Sequence, residues 1–118
     1  MVRIEVDYTG DLHTVCRHDP SGSELETDAP RDNQGLGQRF SPTDLVATAL
    51  ASCMLTTMDI VARRHQWPME GARAEVDKHM ATDPVRRIGR IAVCLTMPAL
   101  PSDARFCPGC GHQLEAAS

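Results

Sequence analysis

Thiols are the residues in this chain with most chemistry to offer. Cys53 stands in Leu50-Ala51-Ser52-Cys53-Met54, inside a long stretch of helical character. A helical cysteine is either a small buried hydrophobe or, when something holds it as the thiolate, a nucleophile. No positive side chain lies within a helical turn of Cys53, so an activating charge has to come from elsewhere in the fold. The second thiol cluster is Cys107-Pro108-Gly109-Cys110-Gly111-His112. One CxxC suits half a zinc site, a redox pair or no chemistry at all. A structural zinc takes four ligands and the chain has no second CxxC, so Cys94, His65, His79 or His112 would have to complete a site. A thioredoxin-type motif is not expected, because its CxxC opens a helix after a buried strand in a βαβ unit. His13, His18 and His79 show no ligand spacing and read as ordinary polar positions.

Asp44 precedes Cys53 on the same segment. At 100° and 1.5 Å per residue, their separation sets them on opposite faces of a helix, about 13.5 Å apart along its axis. Within one chain they cannot touch, and Asp44 reads as a helix-capping group. Arg31 and Asp32 belong to a loop, where they are either a solvated charge pair or part of a site.

The elements that must position these groups follow from hydrophobic pattern and turn chemistry. Val2, Ile4 and Val6 alternate with Arg3, Glu5 and Asp7, the period of a strand with one wet face. Thr9-Gly10-Asp11 and Pro20-Ser21-Gly22 are turns, so residues 12–17 and 23–27 are expected as the second and third strands of a meander. Residues 28–38, with two glycines, a proline and several Asp or Asn, form a long loop. Ser41-Pro42-Thr43-Asp44 then predicts a helix start, with Ser41 as N-cap, Pro42 at N1 and Asp44 closing a capping box. Nothing breaks the helix before about Arg64, and it is apolar or small nearly all round, which predicts a central helix buried on several sides. Residues 72–80 and 88–97 read as two further strands joined by a charged hairpin loop. Cys94 is expected inside the second of these, covered on both faces.

Composition narrows the possibilities. A chain of 118 residues is expected as a single domain. It holds only four aromatic residues (Phe40, Phe106, Tyr8, Trp67) but six methionines, so subunit association is a natural way to bury more surface. A net charge of −4 argues against nucleic acid as a partner. The longest apolar run, Leu45 to Ala51, is broken by Thr48 and is far short of a membrane span, and the N-terminus lacks a signal peptide's apolar stretch. Five cysteines, odd in number and mostly scattered, suit reduced thiols, and the cytoplasm is the expected compartment.

Two segments carry a family resemblance. Thr27-Asp28-Ala29-Pro30-Arg31-Asp32-Asn33-Gln34-Gly35 and Phe40-Ser41-Pro42-Thr43-Asp44-Leu45, continuing to Ser52-Cys53-Met54, closely resemble the OsmC/Ohr family, in its OsmC-like branch. Lys78-His79-Met80 and Pro84-Val85-Arg86-Arg87-Ile88 are similar to further motifs of that branch, and the match covers roughly residues 4–98. The resemblance implies an α+β fold of antiparallel sheets packed on a long central helix, assembled as an intertwined homodimer. It also implies a thiol-dependent peroxidase acting on organic hydroperoxides, without metal or other cofactor and recycled by a dithiol reductant. Cys53 takes the position of the peroxidatic thiol, Asp44 that of the activating acid, and Arg31 stands in for the family's loop arginine. Cys107-Pro108 matches the dipeptide of the resolving cysteine, but it comes too early for the helix that normally precedes it. Residues 99–118 are therefore expected to be atypical or truncated. The alternative is a non-catalytic dimeric scaffold or small-ligand-binding protein of the same fold, with a zinc-binding tail as a variant.

Overall fold

A computed structural model describes residues 1–98. Five strands and one long helix appear in the order β1 (Ile4–Gly10), β2 (His13–His18), β3 (Glu24–Asp28), α1 (Pro42–Arg64), β4 (Arg73–Ala81), β5 (Arg87–Thr96). A 3-10 turn, Arg31–Asn33, lies in the loop between β3 and α1. This is an α+β chain built on antiparallel sheet. It divides into two compact units, Met1–Val46 and the part from Ala47 onward.

The first unit is the three-stranded meander β1-β2-β3 with the loop that leads into the helix. Its register pairs Val6 with Cys16 and Asp7 with Val15, and then Cys16 with Leu25 and His13 with Asp28. Because side chains alternate across a strand, this pairing separates the sheet into two unlike faces. Ile4, Val6, Tyr8, Cys16 and Leu25 share one. Glu5, Asp7, His13, Arg17, Glu24, Glu26 and Asp28 share the other. The apolar face is largely open: Ile4, Val6 and Tyr8 are each at least 60% exposed.

The capping box at the head of α1 forms as the sequence predicts. The Asp44 N–H donates to Ser41 Oγ at 3.0 Å, and the Ser41 N–H donates to Asp44 Oδ2 at 2.9 Å. Ser41 is almost wholly buried, so this reciprocal pair satisfies donors that water does not reach.

In the second unit, β4 and β5 form an antiparallel hairpin running from Arg73↔Thr96 to Ala81↔Arg87. Leu95 is its most buried side chain. Two expectations are corrected here. Cys94 is exposed, because the strand covers one face at Leu95 and leaves the next residue on the other. Helix α1 is likewise not enclosed by the described residues: of its side chains only Ala47, Ala51 and Ala62 are buried, all on one side. A third correction concerns apolar length. The helix is long and apolar enough to cross a membrane, because its interruptions are mostly Thr and Ser with few charges, although only 17% of that stretch is buried here. Core helices of water-soluble folds meet the same description.

Candidate functional site

Helical periodicity gives α1 two stripes. Ala47, Ala51 and Ala62, with half-buried Met54, Leu55 and Met58 between them, recur every three or four residues and form the covered side. Val46, Leu50, Cys53, Thr57 and Ile60/Val61 recur at the same spacing and form a second, apolar stripe. That second stripe is open, with Val46 52%, Leu50 43%, Ile60 61% and Val61 44% exposed. Cys53 stands at its middle with its thiol exposed, 3.8 Å from the Thr57 hydroxyl. Sequence reasoning placed Cys53 on the helix, but the exposure of its stripe is what distinguishes it from an inert core thiol.

Asp44 is half-buried at the head of the helix, on the covered side, engaged with Ser41. Helix geometry sets it half a turn round from Cys53, so one chain does not bring the two together. Arg31 is exposed in the 3-10 turn, and its Nε donates to the Leu36 carbonyl at 3.2 Å within its own loop. Arg31 belongs to the first unit and Cys53 to the second. Cys107 lies outside the described residues, as does Cys110.

The loop that carries Arg31 is tightly made. The N–H groups of Asn33 and Gly35 both donate to the Pro30 carbonyl, and that of Gly37 donates to the Ala29 carbonyl. Gly35 is required by contact: a Cβ there would fall 1.7 Å from the Ala29 carbonyl oxygen. Gly37 has φ of +64°, and the Arg31 side chain lies against it. Gln34 is also left-handed, which closes the 3-10 turn.

A polar cluster that sequence reasoning missed anchors this loop. The Asp28 side chain is only 4% exposed, and His13 Nδ1 lies 2.6 Å from its Oδ1. The other ring nitrogen of His13 faces Glu26 Oε1 at 3.2 Å, and Glu26 Oε2 accepts from Arg39 Nε at 2.9 Å. The Gln38 N–H donates to Asp28 Oδ2, and the Asp28 N–H donates to the Phe40 carbonyl. The hydrogen bond to Asp28 raises the pKa of His13 against the opposing effect of burial, with Glu26 adding to the rise. The same bond lowers the pKa of Asp28, again against burial. His13 reads as an ordinary polar residue in sequence. The signal that could have found it is the register: counting outward from the turn at residues 18–23 sets His13 opposite Asp28.

A groove of about 800 Å³ runs along the C-terminal half of α1, lined by Leu55, Ile60, Trp67 and Met69, with Asp59 and Arg63 as an ion pair at 3.1 Å. Cys53 does not line it. Among the described residues no group of His, Cys, Asp and Glu is arranged to hold a metal ion.

Comparison with known proteins adds a family. The family described as OsmC-like protein matches residues 35–106. The fold is similar to the crystal structure of a protein from Psychrobacter arcticus 273-4, a proposed osmotic stress induced and detoxification response protein. The TM-score is 0.81 and the identity 48%, over 87% of this chain and 74% of that one. No curated protein sequence matches the chain.

Proposed function

For a chain that belongs to the OsmC-like protein family, we propose the function of a homodimeric thiol peroxidase that reduces organic hydroperoxides in a detoxification response. The observation that carries this reading is the exposed Cys53 thiol at the centre of an uncovered apolar stripe on α1. An apolar stripe of this length is covered in a stable protein, and a second copy of the chain is the proposed cover. The open face formed by Ile4, Val6 and Tyr8 supports the same conclusion. A thiol set among apolar side chains favours a peroxide with an organic tail over hydrogen peroxide, because the tail gains by leaving water.

The chemistry starts from the Cys53 thiolate. Its sulfur attacks the terminal oxygen of ROOH, the O–O bond breaks, and the alkoxide leaves to take a proton as ROH. Cys53 is then a sulfenic acid. A second thiol, Cys107 in this proposal, condenses with it to a disulfide and releases water, and an external dithiol restores both thiols. Burial at a subunit contact favours the neutral thiol, so a cation must hold the thiolate. Arg31 is assigned that part, oriented by Asp44, both delivered from the partner chain because one chain cannot bring Asp44 to Cys53. The reducing conditions of the cytoplasm suit this cycle. The role of the Psychrobacter arcticus protein supports placing it in stress response.

The test is consumption of an organic hydroperoxide by wild type and Cys53→Ser with dithiol supplied. Turnover in wild type and none in the variant is expected. No turnover in wild type leaves the non-catalytic scaffold.

A further inference from the structure

We propose that His13 is a positioning residue: it latches the loop of residues 29–40 to the first sheet and thereby presents Arg31 and the head of α1. The functional consequence rests on the peroxidase reading, but the latch itself rests on the geometry of one compact unit. His13 sits between two carboxylates of β3, 2.6 Å from Asp28 and 3.2 Å from Glu26. Each carboxylate holds the loop with its other oxygen, Asp28 through the Gln38 N–H and Glu26 through Arg39. The loop is thus held at two successive residues, immediately before Phe40 and the Ser41 cap, by groups that meet at one imidazole.

Both ring nitrogens face acceptors, so only the imidazolium, with two N–H donors, satisfies both. Its charge also offsets the mutual repulsion of two carboxylates, one of them nearly enclosed. A neutral ring donates to one carboxylate and turns a lone pair toward the other. The remaining charged groups around it are few. β1 places Gly10 opposite His13 and Asp7 two pairs along, opposite Val15 on the same face, while Arg39 reaches the cluster from the loop.

The direction of the pH dependence follows from the two shifts. His13 has its pKa raised in the fold, so its contribution is complete at pH below the ordinary imidazole value and is lost as pH rises through the raised one. Asp28 has its pKa lowered, so its contribution holds above the ordinary carboxyl value and is lost as pH falls through the lowered one. The latch is closed between those limits and opens as pH rises through the raised His13 pKa.

The experiment combines NMR titration of the His13 ring with hydrogen exchange at the Gln38 amide, from about pH 6 to about pH 9 and corrected for intrinsic exchange. In wild type, Gln38 protection is expected to fall with the His13 midpoint, by about tenfold per unit that the midpoint is raised. His13→Gln, which keeps a hydrogen-bonding side chain but cannot titrate, is expected to show weaker Gln38 protection with no step in pH. If the wild type shows no step at the His13 midpoint, the latch is refuted, whether or not His13→Gln folds. Organic hydroperoxide reduction is read in parallel. Loss of the alkaline limb of kcat in His13→Gln is expected, and an unchanged limb refutes the positioning role. Absence of activity in wild type would refute the peroxidase reading and leave the exchange result to decide the latch.

Discussion

Asp44 is asked to do two things, and its amide isostere separates them. As part of the capping box it accepts the N–H of Ser41, a residue 1% exposed, at 2.9 Å. Asp44→Ala leaves that buried donor without its side-chain acceptor, which costs about 1–3 kcal/mol. It also removes a negative charge from the first turn of α1, about 0.3–1 kcal/mol more. A loss near 2–3 kcal/mol corresponds to a drop of roughly 10–20 °C in the melting temperature of a domain this size. Asp44→Asn keeps a carbonyl oxygen in the same place and loses only the charge, which predicts a drop of roughly 2–8 °C. Thermal unfolding by circular dichroism, at one fixed protein concentration, measures both. Activity is expected to split differently. If the carboxylate charge orients the cation beside Cys53 of the other chain, Asp44→Asn loses at least about tenfold in peroxide turnover while remaining folded. Equal melting of the Asn and Ala variants would refute the capping account. Full activity in Asp44→Asn would refute the catalytic one and leave Asp44 a cap alone.

Three further outcomes are expected. Light scattering should give a dimer at micromolar concentration, and the melting temperature should rise with concentration because association and folding are linked; a stable monomer would overturn the reading of the open stripe. Gly35→Ala should destabilise the protein by about 1–3 kcal/mol, since its Cβ has no room against the Ala29 carbonyl, which thermal unfolding would show. Cys94 should react with an alkylating agent in the unassociated chain, read by mass spectrometry at low concentration, and resistance there would contradict its exposure.

Local chemistry made part of this structure readable in the sequence. The head of α1 needs only residues 41–44, whose side chains bond to each other's backbone, so four letters suffice to place it. The strands follow for a similar reason, since alternation and turn residues act over short separations, and their bounds are met to within a few residues. Covering was less readable. A helix that is apolar all round reads as enclosed, but periodicity does not say what supplies the cover, and the described residues do not cover the Cys53 stripe. The same limit hid the exposure of Cys94. The His13–Asp28 pair escaped for a different reason. Its members are separated by a turn and a strand, and neither has a neighbour in sequence that marks it. Only the hairpin register joins them. Of the proposed site, Cys53, Asp44 and Arg31 were named from motif, whereas the network that fixes the Arg31 loop was not.

The two unlike faces of the first sheet bear on how safely this protein can be made. β1 lies at the margin of its sheet, and among the described residues no further strand pairs with its outer edge. Ile4, Val6 and Tyr8 would strengthen such an addition between stray copies. The intervening Glu5 and Asp7 bring like charges together whenever two such strands align in register, and so act as gatekeepers. That protection is electrostatic, and acid or high salt weakens it while the apolar side chains keep their tendency to leave water. The conditions that most expose the chain to misassembly are therefore acid and high salt, where the carboxylates of Glu5 and Asp7 are neutral or screened.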